Sequence, residues 1–492
     1  GLPSAAVRVL APLARIGHLV EDAPSHVRGV AVASRTLRFV HGTFTRHLAA
    51  QVTPSEARAC FRRLVEATAG RRVDPTPATA LHLAHCAVQA EAFDDAREWA
   101  HRAFDAFVAR YDLATARRAV DLVLAAQVCS ERATPAQCAD WQLRRANLHF
   151  WADGPAVAGV RNEFDLAFEL ADRADEPLLA FRARLGSVIA RTLSSPVDGL
   201  EEAFAWLLER AEAPELRAVA HLHSSAALTV LGHYERALAA AETALECLPE
   251  ARPDVPLMDD LEVGVRSNLG YLLAARGSAR SGAELERAHE RAAAIGLPTS
   301  ACVAHQAAAT VALLRDDEDG IATHGSALQQ IGEEAGLGTY ATTGRLLVAA
   351  TAATPGNPGA VEAFLASYRR ALAQGKMLLR GFFAARLVEA LARVGRITEA
   401  EEILEEVSTN VSPCELPLLQ LARAEVGRAP ATPGRDRRAT DRRTLASALR
   451  LAEKQGNLLL VRAARKRTTR AKPTSARPRR SSTGGRSSRS NG

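Results

Sequence analysis

The stretch GHYERALAAAETALECLP, residues 232–249, decides how the rest of the chain is read. A glycine at 232 accepts backbone angles that other residues resist, so the chain can reverse tightly between two antiparallel helices. Tyr234 and Ala237 then let the second helix lie close against the first. Leu238, Ala241, Leu245 and Leu248 recur at helical spacing and form one apolar stripe. Working outward, weaker copies of this turn fall near Asp153, Ser194, Gly277, Asp316, Gly356 and Gly395, in steps of 38 to 45 residues. The last clear copy, LVEALARVGRITEAEEIL from Leu387 to Leu404, again joins an apolar helix to an amphipathic one through Gly395. A single hairpin of this kind cannot bury its apolar face, so neighbours must stack.

Gly232, Tyr234, Ala237, Ala244, Leu245 and Pro249 resemble the tetratricopeptide (TPR) pattern GxYxxAxxxxxxALxxxP. That resemblance implies an all-α chain, a right-handed superhelical stack of TPR-like hairpins over residues 71–426. The period here is nearer 40 than the TPR's usual length of about 34 residues, which means longer helices and a wider coil. Helix starts carry matching signals. Thr53-Pro54-Ser55-Glu56 and Thr134-Pro135-Ala136-Gln137 read as capping boxes with proline at the first helical position, and Ser195-Pro196-Val197-Asp198 is a looser version. Prolines at 249–256, 298, 355–358 and 413–417 separate predicted helices.

Composition agrees with an array. The chain has 492 residues, 47% hydrophobic and 24% charged, and is too long for one compact core. Aromatics are only 5%, and Ala and Leu dominate the apolar residues, which suits close-packed helices. No stretch has the run of roughly 18 uncharged apolar residues that a membrane span needs, and no signal-peptide layout opens the chain, so a cytoplasmic protein without membrane contact is expected. The chain opens at Gly1 without methionine and reads as a piece of something longer. Seven scattered cysteines without CxxC spacing suggest neither a disulfide framework nor a zinc site, and read as small buried hydrophobes.

Residues 1–70 differ from the rest. Val7–Ile16 is helical in pattern, Thr36–His41 alternates like a strand, and a helix is expected from Phe44 towards Gln51, which suits the end of a winged-helix module. Leu37-Arg38-Phe39-Val40-His41, Thr45-Arg46-His47-Leu48 and the segment Pro54–Thr68 resemble the junction between ATPase module and helical repeats in large bacterial STAND-type signalling proteins, with Phe61 where that family has histidine. Leu83-Ala84-His85-Cys86 and Ala96-Arg97-Glu98-Trp99-Ala100 look like the first repeat of such proteins. Tyr340–Val461 looks like the closing repeats of predicted-ATPase regulators, found in LuxR-type (MalT-like) activators, class III adenylate cyclases and some Ser/Thr kinases. The resemblance implies that the repeats sense a ligand and restrain an ATPase lying outside this region.

No GxxxxGK[ST], GxSxG or HExxH is present, so no catalytic residue, cofactor or metal ligand is assigned and the chain is expected to be non-catalytic. His82, His85 and Cys86 share a helical face, but no fourth ligand accompanies them and core positions explain them. His221 and His223 diverge around a helix. The acidic runs Asp316–Asp319 and Glu401–Glu406 read as solvated faces.

The expected partner is a protein, a peptide, a small inducer or the protein's own ATPase domain. It would sit in a concave groove lined by first helices, with Asn268, Tyr271 and Arg345 as candidate contacts. Beyond the repeats, 427–443 reads as a flexible loop, 444–464 as a terminal helix and 465–492 as a disordered basic tail. Ten basic residues from Arg465 to Arg489 turn a body near −4 into a net charge of +6. The alternative function is therefore nucleic-acid binding through the winged-helix-like part and the tail, with Arg465, Lys466, Arg467, Arg479 and Arg480 as contacts.

Overall fold

The computed structural model describes residues 19–22, 36–39, 53–69, 75–130, 133–155, 157, 159–194, 199–248, 260–376, 378–409, 411–428 and 437–470. The chain divides into two compact units, Gly1–Arg102 and Ala103–Gly492.

In the first unit, strand β1 (Leu19–Asp22) pairs antiparallel with β2 (Thr36–Phe39), with Leu19 opposite Phe39. The expected strand at Thr36–His41 is thus present in its first four residues. The helices read from Val7–Ile16 and from Phe44 towards Gln51 lie outside the described residues. Helix α1 (Pro54–Ala69) starts at a reciprocal cap: Glu56 N donates to Thr53 Oγ1 at 3.3 Å and Thr53 N donates to Glu56 Oε2 at 2.9 Å. Helix α2 (Pro77–Gln89) follows, capped by Thr76, and then α3 (Phe93–Val108) begins.

The second unit is an all-helical stack. After α4 (Leu113–Cys129) come seven consecutive hairpins among the described residues: α5 (Pro135–Ala152) with α6 (Val160–Arg173), α7 (Pro177–Ser194) with α8 (Leu200–Arg210), α9 (Pro214–Val230) with α10 (Tyr234–Glu246), α11 (Leu261–Ala275) with α12 (Ser281–Ile295), α13 (Pro298–Arg315) with α14 (Glu318–Glu334), α15 (Gly338–Ala352) with α16 (Pro358–Ala373), and α17 (Arg380–Arg393) with α18 (Ile397–Ser408). Six of the turns fall at the positions read from the sequence; α7 ends at Ser194, where the seventh was read, and residues 195–198, with the looser capping sequence read there, lie outside the described residues. At the deciding turn Gly232 has φ 81°, and His233 N donates to Leu228 O at 2.8 Å, closing the first helix in a left-handed cap. Asp316 takes the same left-handed conformation, φ 55°, without being glycine.

The buried stripe of α10 is smaller than its leucines suggested. Tyr234, Ala237, Ala241 and Ala244 are the fully buried residues, while Leu238, Leu245 and Leu248 are half-buried beside them. Small side chains at the contact line let helix axes approach, and the longer ones fill the margins.

The chain end also differs from expectation. Helix α19 (Leu416–Arg428) follows a 3-10 turn at Pro413–Glu415, and α20 (Arg437–Gln455) starts inside the stretch read as a loop. The single expected helix at 444–464 is broken at Gly456, φ 77°, where Asn457 Oδ1 accepts from Leu460 N at 3.1 Å and starts α21 (Leu458–Arg470). Among the described residues no helix is long and apolar enough to cross a membrane. Of the described cysteines Cys86, Cys302 and Cys414 are buried as expected, but Cys129 is exposed and Cys138 and Cys247 are intermediate.

Candidate functional site

Each first helix of the hairpins turns one face inward. Asp140, Leu143, Arg144, Asn147 and Trp151 on α5, then Arg182, Leu185, Gly186, Ile189 and Leu193 on α7, follow the three-and-four spacing of a single helical stripe. Leu222, His223 and Ala226 on α9, Gly264 and Asn268 on α11, and Val303 and Gln306 on α13 continue it. These faces line a cavity of about 320 Å3. A second, of about 520 Å3, shares Thr192, Ala226, Asn268, Gln306 and Leu378 with the first and extends past Tyr271 to Arg380, Cys414 and Glu415.

The inner space has a wall because the stack returns on itself. Helix α15 reaches α5, five hairpins earlier, and the Trp151 ring stacks on Tyr340 with centroids 6.0 Å apart and planes 20° from parallel. Close approach here depends on small residues: a Cβ at Gly338 would lie 2.6 Å from the Ala152 carbonyl oxygen. At the far side Arg276, the C-cap of α11, donates to Gly456 O at 3.3 Å, bringing the last helices against the middle of the array.

One wall of the first cavity is aromatic, made by Phe104, Phe150, Trp151, Phe164 and Tyr340. Arg144 is already engaged: its guanidinium lies 5.0 Å over Trp141, and Nε donates to Asp140 at 2.8 Å. Arg182 lines the same space and has no carboxylate partner among the described residues. Thr339 is 4% exposed, and its Oγ1 has no hydrogen-bond partner. His223 is held neutral, its pKa lowered from 6.5 to about 4 by burial. In the second cavity Glu415 accepts from Gly381 N at 2.8 Å and Ser412 N at 3.3 Å. Burial pushes its carboxyl above the ordinary range, against the pull of those amides.

Of the residues read from the sequence as groove contacts, Asn268 lines both cavities and Tyr271 the second. Asn268 Nδ2 donates to Ser225 Oγ at 2.7 Å, and Tyr271 OH lies 3.0 Å from Tyr234 OH. Arg345 lines neither. It lies five residues beyond Tyr340, about 500° around the helix, and its guanidinium donates instead to Glu333 at 3.0 Å and Thr342 at 3.2 Å.

Among the basic residues, Arg479 and Arg480 lie outside the described residues. Arg465 pairs with Glu453 at 2.9 Å, and Lys466 is exposed on the same helix. Arg467 is internal: Nη2 is 2.7 Å from Glu389 Oε1 in a pair 16% and 6% exposed, so it faces carboxylates and not solvent. Burial works against its charge, but Glu389 and Glu425 outweigh it and raise its pKa.

The acidic run at Asp316–Asp319 is also more than a solvated face. Arg386 bridges Asp316 and Glu318, and Asp317 Oδ1 caps α14 by accepting from Gly320 N at 3.1 Å. His82 and His85 are exposed while Cys86 is buried, with His82 Nε2 3.6 Å from Cys86 Sγ. Arg182, Thr339 and the Trp151–Tyr340 contact escaped the sequence reading, because nothing local marks which face of a helix meets a partner five hairpins away. Compared with known proteins, the chain matches no family model and no curated protein.

Proposed function

We propose that this chain is the ligand-sensing region of a multidomain cytoplasmic bacterial regulator, a right-handed TPR-like superhelix that does no chemistry itself. Its effector is a small molecule with a flat apolar body and one acidic group, held in the cavity between the first helices. The observation that carries the reading is the makeup of that cavity: an aromatic wall beside the unpartnered Arg182 and the unpartnered Thr339 hydroxyl. Apolar pockets with a few converging polar groups are where small ligands bind, and a half-buried guanidinium without a carboxylate partner favours carboxylate or a similar anion. A space of a few hundred Å3 favours a small inducer over a folded protein partner. In the STAND-type regulators that the N-terminal segment resembles, such repeats restrain an ATPase. Here ligand would shift that restraint by favouring one packing of the α5–α15 contact over another.

The test uses 8-anilinonaphthalene-1-sulfonate, an aromatic anion whose fluorescence rises on leaving water. The wild-type chain should bind it at one saturable site. Ala226→Trp, which fills the space shared by the two cavities, should abolish that site, and Arg182→Ala should weaken it about 10-fold, the loss of one charge-assisted contact. Equal binding by all three proteins would remove the assignment.

A further inference from the structure

Three histidines meet on the side of the stack away from the cavity. His289 comes from α12, His305 from α13 and His324 from α14, and one ring nitrogen from each lies within 4.8 Å of the others. The ring centroids are 4.6 Å apart for His289 and His305, 5.3 Å for His305 and His324, and 5.5 Å for His289 and His324. Val303 and Gln306 point into the cavity, so His305, between them on the helix, points out of it towards the second helices. All three rings are half-buried, within reach of an ion from solvent.

Hydrogen bonding within the protein does not satisfy this group. His305 Nδ1 and His324 Nδ1 are 3.0 Å apart and share at most one proton. His289 Nε2 is buried and has no partner at all. Three imidazoles with a nitrogen each inside a 4.8 Å span leave lone pairs that a hydrogen-bonded pair cannot use.

We infer that His289, His305 and His324 form a binding site for a divalent transition metal, zinc by ligand type, with water in the fourth position. Zinc takes imidazole nitrogen at about 2.0–2.1 Å in a tetrahedron, which sets neighbouring ligand atoms about 3.4 Å apart. The His305–His324 pair is already near that separation, and side-chain rotation closes the rest. Imidazole without thiolate or carboxylate suits zinc, copper and nickel and disfavours calcium and magnesium.

The protonation state is already the one a ligand needs. Burial first, then His289 and His324, lower the pKa of His305 to about 4. Burial and His324 lower that of His289, and burial lowers that of His324 against the opposing charge of Asp317. At neutral pH the lone pairs are free and no proton needs displacing. A bound ion would fasten three successive helices together, so its effect is on the rigidity of the middle of the array and is independent of what the cavity holds.

The experiment titrates the chelator-treated 492-residue chain with zinc chloride by calorimetry and, separately, with cobalt chloride by visible absorption. We expect one equivalent of zinc, and a strong four-coordinate cobalt spectrum. His305→Ala and His324→Gln should each lower zinc affinity by about 100-fold or more, beyond what a change outside the ligand shell causes. His82→Ala should leave it unchanged. Zinc affinity that survives in His324→Gln, or a weak six-coordinate cobalt spectrum from the wild-type chain, overturns the site. The cobalt spectrum of the wild type decides the matter even where a variant fails to fold, and neither readout depends on effector binding in the cavity.

Discussion

Asn268 shows how a polar residue at the cavity wall is held. Its amide donates to Ser225 Oγ at 2.7 Å, and Ser225 Oγ donates in turn to Ala237 O at 2.7 Å, tying α11 to α9 and α10. Ser225 is wholly buried, so Ser225→Ala leaves the amide without its acceptor. We expect a loss of about 1–2 kcal/mol in denaturant unfolding, from the lost buried hydrogen bond to Ala237 O and the half-buried amide left without its acceptor. His223 gives a pH signature. Its folded pKa of about 4 lies below 6.5, so as pH falls through that window the unfolded chain takes up a proton that the folded chain refuses. Stability is fully present above 6.5 and is lost towards 4. His223→Gln should therefore lower the difference in melting temperature between pH 7.5 and pH 5, and an identical decline in both proteins would refute this. Polarity on a predicted first helix was enough to place Asn268 and Tyr271 at a cavity wall. It was not enough for Arg345, because α15 buries residues on most of its circumference, Thr339 to Gly344 included, and its sequence does not reveal which side faces inward.

Among the elements, the contact between α14 and α15 depends most on having no side chain. A Cβ at Gly344 would stand 2.3 Å from the backbone nitrogen of Gln329, and one at Gly332 would stand 2.5 Å from that of Ala341. Backbone cannot swing aside as a side chain can. Gly344→Ala should cost about 1–3 kcal/mol or more by forcing the helices apart. Gly356→Ala, in open space at the turn before α16, should leave the melting temperature unchanged. The hairpin turns and capping boxes were legible in the sequence because their chemistry is local: Thr134 and Gln137 cap α5 reciprocally, at 3.2 and 3.3 Å. The α19–α21 boundaries were less legible, since a single glycine at 456 redirects the chain where the composition stays helical throughout.

At the scale of the molecule, long-range contacts separate a plain repeat array from what this unit is. The end of the described chain is anchored by charge: Arg467 on α21 reaches Glu389 on α17 at 2.7 Å, and Glu389 also pairs with Arg393 at 3.3 Å. Arg467→Ala leaves a buried carboxylate short of its main partner and should destabilise the fold by about 3 kcal/mol, measured by chemical denaturation. A role confined to solvent-exposed contacts predicts no change. The period near 40 foretold the stacking of neighbours. It did not foretell that α15 would return to α5, since that depends on how far each hairpin rotates and advances on the last, a quantity that small differences in helix length and side-chain volume set together.

The meeting of Trp151 and Tyr340 has a consequence for the order in which the protein comes into being. Hairpins can be laid down one upon another as the chain emerges, each docking on a finished predecessor. The chamber has no such partial forms. A chain halted before Tyr340 owns most of the walls and lacks the contact that joins them, so the chamber as a whole arrives abruptly, late in synthesis, and belongs to no individual repeat.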